Sequence, residues 1–362
     1  MSLKVVTIVG ARPQFIKAAA VSRAMLERPG EIREVMVHTG QHHDTNMSQV
    51  FFDELQIPAP SYQLSVSGGG HGAMTGRMLA GIEDVLLKER PDWVLVYGDT
   101  NSTLAGTLAA VKLHVPVAHV EAGLRSFNQH MPEEVNRVLC DRVSTLLLCP
   151  TQAAVDNLAR EGREQGVHDV GDVMYDVALN YLDQAREKSR ILERLGLTER
   201  GYALATCHRA ENTDSADRLE AIFAALADIA EQLPVVLPLH PRTRMRLVEH
   251  GLEHYLRRLS VVEPLAFLDM VALEQAAKVI LTDSGGVQKE AFFYQVPCIT
   301  LRDETEWVET VELGGNRLVG ASRQQIVSAW SHVMQSPGVV QGMPYGNGQA
   351  SNLVVQALLG AC

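Results

Sequence analysis

The sequence predicts an α/β protein with doubly wound parallel sheets, and three observations lead to this class. Short continuous runs of Val, Ile and Leu recur along the chain, as is typical of strands buried on both faces. Each run is followed by a loop and a helix-type pattern. The chain has 362 residues, of which 46% are hydrophobic, which is enough for about two domains with ample cores.

Five predicted strands lie in the first half of the chain, and the first of them is followed by a helix start. The strands are Val5–Val9, Ile32–His38, Trp93–Tyr97, Val115–Val120 and Thr145–Cys149. Gly10 leads into Pro13, which fits the first turn of a helix because that turn does not need its N–H. This predicted helix runs through Lys17 to about Leu26.

A second series of predicted strands begins after a polar, helix-prone stretch over Asp183–Arg200. The strands are Tyr202–Thr206, Val235–Leu239, Leu259–Val262, Val279–Thr282 and Cys298–Leu301. A final apolar helix is predicted over Ala350–Leu359. We therefore expect two Rossmann-like domains: residues 1–170, with the C-terminal helix 349–362 returning to them, and residues 171–348.

Charge and apolar runs exclude several classes of protein. The chain has 32 Lys and Arg against 43 Asp and Glu, a net charge of -11, which argues against a general binder of nucleic acid or anionic membranes. No apolar run approaches the roughly 18 residues of a membrane span, and the apolar N-terminal stretch is too short for a signal peptide. The five cysteines form no C-x-x-C pair and fit reduced thiols, so we expect a cytoplasmic protein.

Histidines are numerous, but their spacing does not suggest a metal site. The 13 His residues include no H-E-x-x-H motif and no clustered Cys/His spacing. His42, His43 and Asp44 are adjacent, yet a polar loop explains them better than a set of ligands. We therefore predict no metal. The first half also lacks G-x-G-x-x-G, so we predict no nicotinamide cofactor.

Polar and charged residues cluster directly after the predicted strands. In open α/β sheets, ligands bind beyond the carboxyl ends of the strands. Two sheets whose carboxyl ends face one cleft would bring these side chains together. The residues are Arg12, Gln41, His42, His43, Asp99, Glu121, His208, Arg209, His240, Asp283, Ser284, Gly285, Gly286 and Arg302.

The strongest phosphate-type motif follows the predicted strand Val279–Thr282. There Ser284, Gly285 and Gly286 lead into a helix, so the backbone can approach an anion and the helix start supplies free N–H groups. Asp283 or Ser284 would also cap an ordinary helix, which is the alternative interpretation. Glu290 lies one to two turns further and is either a partner of ribose hydroxyls or a solvated helix residue.

A second anion-binding motif surrounds the first predicted helix start. Arg12 sits at the turn and Lys17 about one turn inside the helix, so both could hold a diphosphate or sugar oxygens. The segment matches neither G-x-G-x-x-G nor G-x-x-x-x-G-K-[ST]. Exposed charges at a helix start are the alternative.

Three carboxylates are candidates for proton transfer. Asp99 and Glu121 each follow a predicted strand, and Glu133 opens a helix shortly afterwards. Neighbouring carboxylates can serve as proton donor and acceptor. Helix capping is the alternative for Asp99 and Glu133, whereas Glu121 stands directly before Ala-Gly and has no evident capping role.

Two histidine motifs follow strands in the second half. His208 and Arg209 come after the strand that ends at Thr206, and His208 could act as an acid or base or bind phosphate. His240 precedes two arginines after the next strand. Cys207 is a weak candidate nucleophile because no oxyanion element or partner Asn is evident.

Together these motifs carry a specific resemblance to one family. The segments GARPQFIK, TGQHHDTNMS, VYGDTNSTLAG, HVEAGLRS, MPEEVNR, CHRAEN, LPLHPRTR and LTDSGGVQKEA occur in the order found in the non-hydrolysing UDP-N-acetylglucosamine 2-epimerases. The resemblance covers nearly the whole chain. It implies a GT-B arrangement of the two domains, a UDP-sugar substrate, no cofactor and a homodimer.

The resemblance also implies a reaction and roles for residues. C2 of the sugar would be inverted by elimination and re-addition of UDP through a glucal, in synthesis of surface polysaccharide precursors. A GT-B glycosyltransferase and a hydrolysing 2-epimerase are the alternatives. The implied catalytic residues are Asp99, Glu121, Glu133 and His208. The implied substrate and UDP contacts are Arg12, Lys17, Arg137, Arg209, His240, Ser284, Gly285, Gly286 and Glu290.

Two departures from the family pattern narrow the resemblance. The segment Gln41–Met47 lacks the Arg and Glu of an allosteric UDP-GlcNAc site, which makes that kind of activation doubtful. Thr305–Glu309 reads TEWVE, which looks more like the branch that epimerises UDP-2,3-diacetamido-2,3-dideoxyglucuronic acid. A carboxylate at C6 would need a cation, for which Arg125, Arg242 and Arg244 are candidates.

Overall fold

The computed structural model describes residues 2–41, 59–335 and 342–361. The chain divides into two compact units. The first consists of Met1–Val177 together with Met343–Cys362, and the second of Ala178–Gly342. Among the described helices, none is long and apolar enough to cross a membrane.

The first unit is built on a parallel sheet of seven strands within the described residues, in the order β3-β2-β1-β4-β5-β6-β7. The strands are β1 (Leu3–Val9), β2 (Ile32–His38), β3 (Tyr62–Gln63), β4 (Trp93–Tyr97), β5 (Val117–Val120), β6 (Leu146–Cys149) and β7 (Val167–Asp169). The central strands β4 and β5 are paired in register from Val94↔Val117 to Tyr97↔Val120. Their side chains are almost wholly buried, as a sheet covered on both faces requires.

The helices of the first unit begin where the sequence provides start signals. They are α1 (Arg12–Leu26), α2 (His71–Glu89), α3 (Asn101–Lys112), α4 (Pro132–Val143), α5 (Gln152–Arg160) and α6 (Val173–Lys188), the last of which continues into the second unit. Pro13 occupies the first turn of α1. Thr100 caps α3 by accepting a hydrogen bond from the backbone N–H of Thr103.

The second unit contains a parallel sheet of six strands within the described residues, in the order β10-β9-β8-β11-β12-β13. The strands are β8 (Ala203–Thr206), β9 (Val235–Pro238), β10 (Ser260–Val262), β11 (Val279–Thr282), β12 (Cys298–Thr300) and β13 (Asn316–Leu318). The helices are α7 (Ile191–Leu195), α8 (Ala210–Thr213), α9 (Ala216–Ala230), α10 (Pro241–Glu249), α11 (Phe267–Ala276), α12 (Gly285–Phe293), α13 (Val308–Glu312) and α14 (Arg323–Gln335), with a 3₁₀ turn over Glu253–Arg258.

The final helix, α15 (Ala350–Gly360), packs against α1 in the first unit. Its first turn is held by Asp176, whose carboxylate accepts from the N–H of Ala350 at 3.1 Å and of Ser351 at 2.7 Å. Burial raises the pKa of Asp176, against the effect of these hydrogen bonds. The chain end is thereby fixed to the unit in which the chain begins.

The predicted fold class is confirmed by the two parallel sheets and their covering helices. Each predicted strand is present within two residues of its predicted ends. The prediction missed β3, β7 and β13, which are the edge strands on three of the four sheet margins. These strands are two or three residues long and carry polar residues, so they lack the apolar run by which a buried strand is recognised.

Candidate functional site

In the first unit, Lys17 and Glu121 form a buried ion pair. Lys17 lies in the second turn of α1, and Glu121 directly follows β5. Their side chains are 12% and 5% exposed. Glu121 has φ +69°, a left-handed conformation that is unfavourable for a residue with a side chain and that is found preferentially at functional sites. A Cβ at Gly98 would lie 3.3 Å from Glu121 Oε2, so the backbone passes close to this pair.

Asp99 is the second carboxylate, and it is paired with Arg137 of α4. Its side chain is 30% exposed, whereas that of Arg137 is buried. Arg137 Nη1 also donates to Glu134 Oε2 at 3.1 Å. Asn136 holds the backbone, because its Nδ2 donates to the Asp99 carbonyl at 2.9 Å. Thr100, not Asp99, caps the following helix, so the capping alternative for Asp99 is wrong.

Glu133 differs from its neighbour Glu134. Glu133 is half-buried in the first turn of α4, and its carboxylate makes no hydrogen bond or ion pair with any described residue. Glu134 is buried and structural, since it accepts from the Ser126 N–H at 2.9 Å and the Phe127 N–H at 3.0 Å. The residue that sequence reasoning chose is therefore the one left available for a ligand.

The loops that carry these groups are joined by Gln14, which sequence reasoning did not single out. Its Oε1 accepts from the N–H of Gly10 at 2.9 Å and of Ala11 at 3.0 Å, and its Nε2 donates to the Tyr97 carbonyl at 2.9 Å. Gly10 has no room for a side chain, because a Cβ there would lie 2.1 Å from Ser102 Oγ. The end of β1 is thus fixed to the end of β4.

An ionic network next to β5 engages Arg125, which the sequence suggested as a substrate contact. Its side chains are buried apart from that of Glu161, which is 38% exposed. Arg125 Nη1 donates to Asp141 Oδ2 at 2.7 Å, and its Nε and Nη2 donate to both carboxylate oxygens of Glu161 at 2.7 and 2.8 Å. His119 Nδ1 lies 2.8 Å from Asp141 Oδ1. Burial by itself would raise the pKa of Asp141, but hydrogen bonds and charges from His119 and Arg125 outweigh it and lower that pKa. Arg125 is therefore occupied and is not a partner for a substrate carboxylate.

In the second unit, Asp283 organises the loop that follows β8. Its carboxylate is fully buried and accepts from the N–H of His208 and of Arg209, each at 3.0 Å, and from Asn212 Nδ2 at 3.1 Å. Asn212 also donates to the Leu301 carbonyl at 2.9 Å. Of the two residues that the sequence allows as the helix cap, Asp283 and Ser284, it is Ser284 that caps α12.

His208 and His240 come together at the ends of β8 and β9, with their ring centroids 6.0 Å apart. His208 is 42% exposed, and its Nδ1 lies 3.6 Å from Asp283 Oδ1. Burial lowers the pKa of His240, with a further contribution from the charges of His208 and Arg242. The Arg209 guanidinium makes no hydrogen bond or ion pair with the described residues. Two imidazoles and one guanidinium are thus available to an anion.

Cys207 is not a nucleophile. Its thiol is buried, and burial raises its pKa well above the ordinary value, with the charge of Asp283 adding to the effect. A thiol in this setting stays protonated at neutral pH.

The helix start at Ser284 has the form that the sequence predicts. Ser284 Oγ accepts from the Val287 N–H at 3.5 Å, and α12 begins at Gly285. A Cβ at Gly285 would lie 2.7 Å from Glu306 Oε1, whereas a Cβ at Gly286 would have only Ser284 Oγ nearby, at 3.8 Å. Gly286 is exposed and Glu290 is half-buried on the same helix. The free N–H groups at a helix start of this form are suited to binding an anion.

The TEWVE segment packs beside this helix. Trp307 is buried, and Lys289 Nζ lies 3.8 Å from the centre of its ring. Glu306 accepts from Arg302 Nη1 at 3.0 Å. The TEWVE segment therefore contributes Glu306 and Trp307 to the surroundings of the α12 helix start.

Some residues predicted from the sequence lie outside the described part of the chain, and others are paired at the surface. His42, His43 and Asp44 lie outside the described residues, as does the side chain of Arg12. Arg242 pairs with Asp214, and Arg244 with Glu263, both at the surface. Within residues 2–41, 59–335 and 342–361 there is no group of three or more His, Cys, Asp or Glu residues placed to hold a metal ion.

Comparison with known proteins identifies the family. The family model described as UDP-N-acetylglucosamine 2-epimerase matches residues 24–359. The UDP-2,3-diacetamido-2,3-dideoxy-D-glucuronate 2-epimerase of Pseudomonas aeruginosa is 54% identical over 361 residues, covering 98% of this chain and 99% of that protein.

Solved structures agree with this assignment. The crystal structure of Methanocaldococcus jannaschii UDP-GlcNAc 2-epimerase in complex with UDP-GlcNAc and UDP is 43% identical, covers 99% of both chains and has a TM-score of 0.91. The Neisseria meningitidis UDP-GlcNAc 2-epimerase bound to UDP-GlcNAc is 30% identical, covers 99% of this chain and 100% of that chain, and has a TM-score of 0.90. The chain belongs to the UDP-N-acetylglucosamine 2-epimerase family.

Proposed function

We propose that the protein is an isomerase that inverts C2 of a UDP-linked 2-acetamido sugar. The observation that carries this proposal is the placement of Asp99 and Glu121 at the ends of the adjacent strands β4 and β5, each paired with a cation. Two fixed carboxylates can remove a proton from one face of a carbon and return a proton to the other.

The reaction needs no redox partner. C2–H of a UDP-hexosamine is not next to a carbonyl, so simple deprotonation is very unfavourable. In the proposed reaction a carboxylate takes the C2 proton, the C1–O bond to UDP breaks, and a 2-acetamidoglucal forms. UDP then adds back to C1 while C2 receives a proton on the opposite face. Atoms and electrons balance, and the net change is the configuration at C2.

The two units have different roles in this proposal. Glu121, Asp99 and Glu133 of the first unit are the acid/base candidates, with Lys17 and Arg137 as their cationic partners.

The second unit binds UDP. Its contacts are the α12 helix start at Ser284, Gly285 and Gly286, together with His208, Arg209, His240 and Glu290. Helix N–H groups and cationic side chains stabilise a departing diphosphate because negative charge develops on it as the C1–O bond breaks.

The proposed substrate is UDP-2,3-diacetamido-2,3-dideoxy-D-glucuronate, as a precursor of a surface polysaccharide. A relative with this activity in its name matches nearly the whole chain. The sugar carries a carboxylate, which needs a cationic partner. Of the three candidates, Arg125 is fully used by Asp141 and Glu161. Arg242 and Arg244 remain, because each pairs only with an exposed carboxylate, Asp214 and Glu263.

The protein is also proposed to be a homodimer. Val135, Leu139 and Val143 form a stripe at intervals of four residues on α4 and are 41%, 47% and 38% exposed. A second copy of the chain would cover such a stripe. Light scattering should give a dimer for the wild type and a monomer for Leu139→Glu. Leu26→Glu, which alters an exposed leucine at the end of α1, is the control and should remain dimeric.

A cytoplasmic location completes the proposal. Cys140, Cys149, Cys207 and Cys298 are buried free thiols, the state that a reducing compartment maintains. Fractionation of cells that produce the protein should recover it with cytoplasmic markers, and recovery in a secreted fraction would contradict this part.

Incubation with UDP-sugars in D₂O tests the reaction. UDP-2,3-diacetamido-2,3-dideoxy-D-glucuronate should give two UDP-linked epimers that both carry deuterium at C2, and UDP-GlcNAc should react more slowly. NMR and mass spectrometry measure the label. Absence of deuterium at C2 with both substrates overturns the proposal. Stoichiometric release of UDP and free sugar would indicate a hydrolysing enzyme, and transfer to an added acceptor would indicate a glycosyltransferase.

A further inference from the structure

His119 is a polar residue in the middle of an apolar strand. It lies in β5, between Ala118 and Val120, and is fully buried. β5 pairs with β4 on one side and β6 on the other. A buried imidazole is unfavourable unless its ring nitrogens are hydrogen-bonded, so the partners of the two nitrogens reveal what this residue does.

Both ring nitrogens of His119 face groups that only accept hydrogen bonds. Nε2 lies 2.7 Å from the Gly98 carbonyl oxygen, and Nδ1 lies 2.8 Å from Asp141 Oδ1. The other oxygen of Asp141 accepts from the Gly123 N–H at 3.0 Å and from Arg125 Nη1 at 2.7 Å. One oxygen thus accepts from two N–H donors, one of them a guanidinium, as an ionised carboxylate does. An imidazole that donates from both nitrogens carries two protons and a positive charge.

The position of His119 connects the two strand ends that carry the candidate acid/base groups. Its Nε2 holds the carbonyl of Gly98, which directly precedes Asp99. Two residues after His119 comes Glu121 with its φ of +69°. A Cβ at Gly98, itself at φ +62°, would lie 3.3 Å from Glu121 Oε2 and 3.5 Å from Lys17 Nζ. The carbonyl of Gly98 is therefore hydrogen-bonded to His119, and its Cα lies close to the Lys17–Glu121 pair.

We propose that His119 is a buried imidazolium ion and a positioning residue, which fixes Gly98 so that Asp99 and Glu121 keep a constant separation. His119 is fully buried and touches no reacting group, so it acts only through these neighbours. The assignment of two protons stands on geometry alone, and its kinetic consequence rests on the proposed function.

Neutron diffraction on deuterium-exchanged crystals at mildly alkaline pH tests the charge state directly. We expect deuterons on both Nδ1 and Nε2 of His119. A deuteron on only one ring nitrogen would overturn the proposal. This measurement uses the wild-type protein, so it does not depend on whether a variant folds or whether a UDP-sugar is turned over.

The variant His119→Gln tests positioning, because a glutamine amide cannot donate from both of the positions occupied by the ring nitrogens. We expect kcat to fall roughly 10- to 100-fold through misplacement of the carboxylates, with KM changed by less than about twofold. Hydrogen exchange should rise in peptides that contain residues 97–99 and 119–121. His168→Gln, on the exposed edge strand β7, is the matched control and should change neither measurement.

The outcomes separate this inference from the proposed function. A wild-type kcat and unchanged exchange in His119→Gln would refute positioning. If the wild-type protein turns over no UDP-sugar in D₂O, the proposed function fails, while the deuterons on His119 and the exchange of residues 97–99 still decide whether the imidazolium holds this loop.

Discussion

In the first unit, two carboxylates that follow the strands are matched by cations, whereas in the second unit the strand ends present two histidines and the start of a helix. Glu121 is paired with Lys17, and Asp99 with Arg137. In the second unit, the buried Asp283 carboxylate accepts hydrogen bonds from the backbone of the loop after β8. The side chain of His208 lies beside it and is 42% exposed.

This difference fits two kinds of chemistry. A group that transfers a proton must be held at a fixed position, and its charge must be balanced by the protein before the substrate arrives. A group that holds a diphosphate must keep donors and positive charge uncommitted until the ligand supplies the negative charge. The predictions below test whether the two units are specialised in this way.

The largest effect is expected at Asp99. Asp99→Asn should keep the fold and the affinity for UDP, which the proposed function assigns to the second unit, but kcat should fall roughly 10²- to 10⁴-fold because an acid/base group is lost. Steady-state kinetics and calorimetric titration with UDP measure the two quantities. Asp84→Asn, at an exposed site on α2, is the control. A near-normal kcat in Asp99→Asn would remove Asp99 from the mechanism.

Lys17→Met should lower the free energy of unfolding by about 3 kcal/mol, because it takes the cation away from the buried Glu121 carboxylate. Denaturant unfolding measures the loss. Adding Glu121→Gln in the same chain should restore part of the stability, since the amide carries no charge. Equal instability of the single and double variants would show that the charge of Glu121 does not need Lys17.

Two neighbouring glycines in the second unit should respond in opposite directions. Gly285→Ala places a Cβ 2.7 Å from Glu306 Oε1 and should destabilise the protein by about 1–2 kcal/mol. Gly286→Ala meets only an ordinary contact at 3.8 Å and should stabilise it by up to about 1 kcal/mol, because Ala favours a helix over Gly. Thermal unfolding of both variants provides the comparison. A stable Gly285→Ala variant would mean that Glu306 moves freely.

The smallest effect is expected in how the affinity for UDP depends on pH. The pKa of His240 is lowered by burial and by the charges of His208 and Arg242, so its imidazole is neutral at pH 7 and gains a proton only below its ordinary value of about 6.5. A protonated His240 attracts the diphosphate. The UDP affinity of the wild type relative to His240→Asn should therefore rise as pH falls, by less than about tenfold per pH unit. A constant ratio between the two proteins across this range would exclude His240 from the UDP site.

The central strands were predictable from the sequence, whereas three of the four edge strands were not, for a physical reason. Trp93–Tyr97 and Val279–Thr282 are buried on both faces and must be apolar throughout, so their sequences reveal them. Val167–Asp169 pairs on one side only, and its polar residues resemble those of a loop. Burial on both faces, more than strand formation itself, is what the sequence pattern detects.

The candidate site shows a similar contrast. Its carboxylates could be predicted from the sequence, but the cations with which they pair could not. Glu121 and Asp99 were identifiable as candidates because they lie just after apolar strands, where ligands bind in open α/β sheets. Their cationic partners were not, since Arg137 is 38 residues from Asp99 and Lys17 is 104 residues from Glu121. Arg125 was misassigned for this reason, because Glu161 lies 36 residues further along the chain. Such pairs are set by how the strands are ordered in the sheet.

The last helix has a consequence for how the protein is made. α15 is part of the first unit, where Asp176 holds its start and α1 packs against it. The second unit is a continuous stretch of chain, Ala178–Gly342, but the first is not. On a ribosome, where domains generally fold as they emerge, the first unit would be completed only after residues 343–362 have left the exit tunnel, later than the continuous second unit.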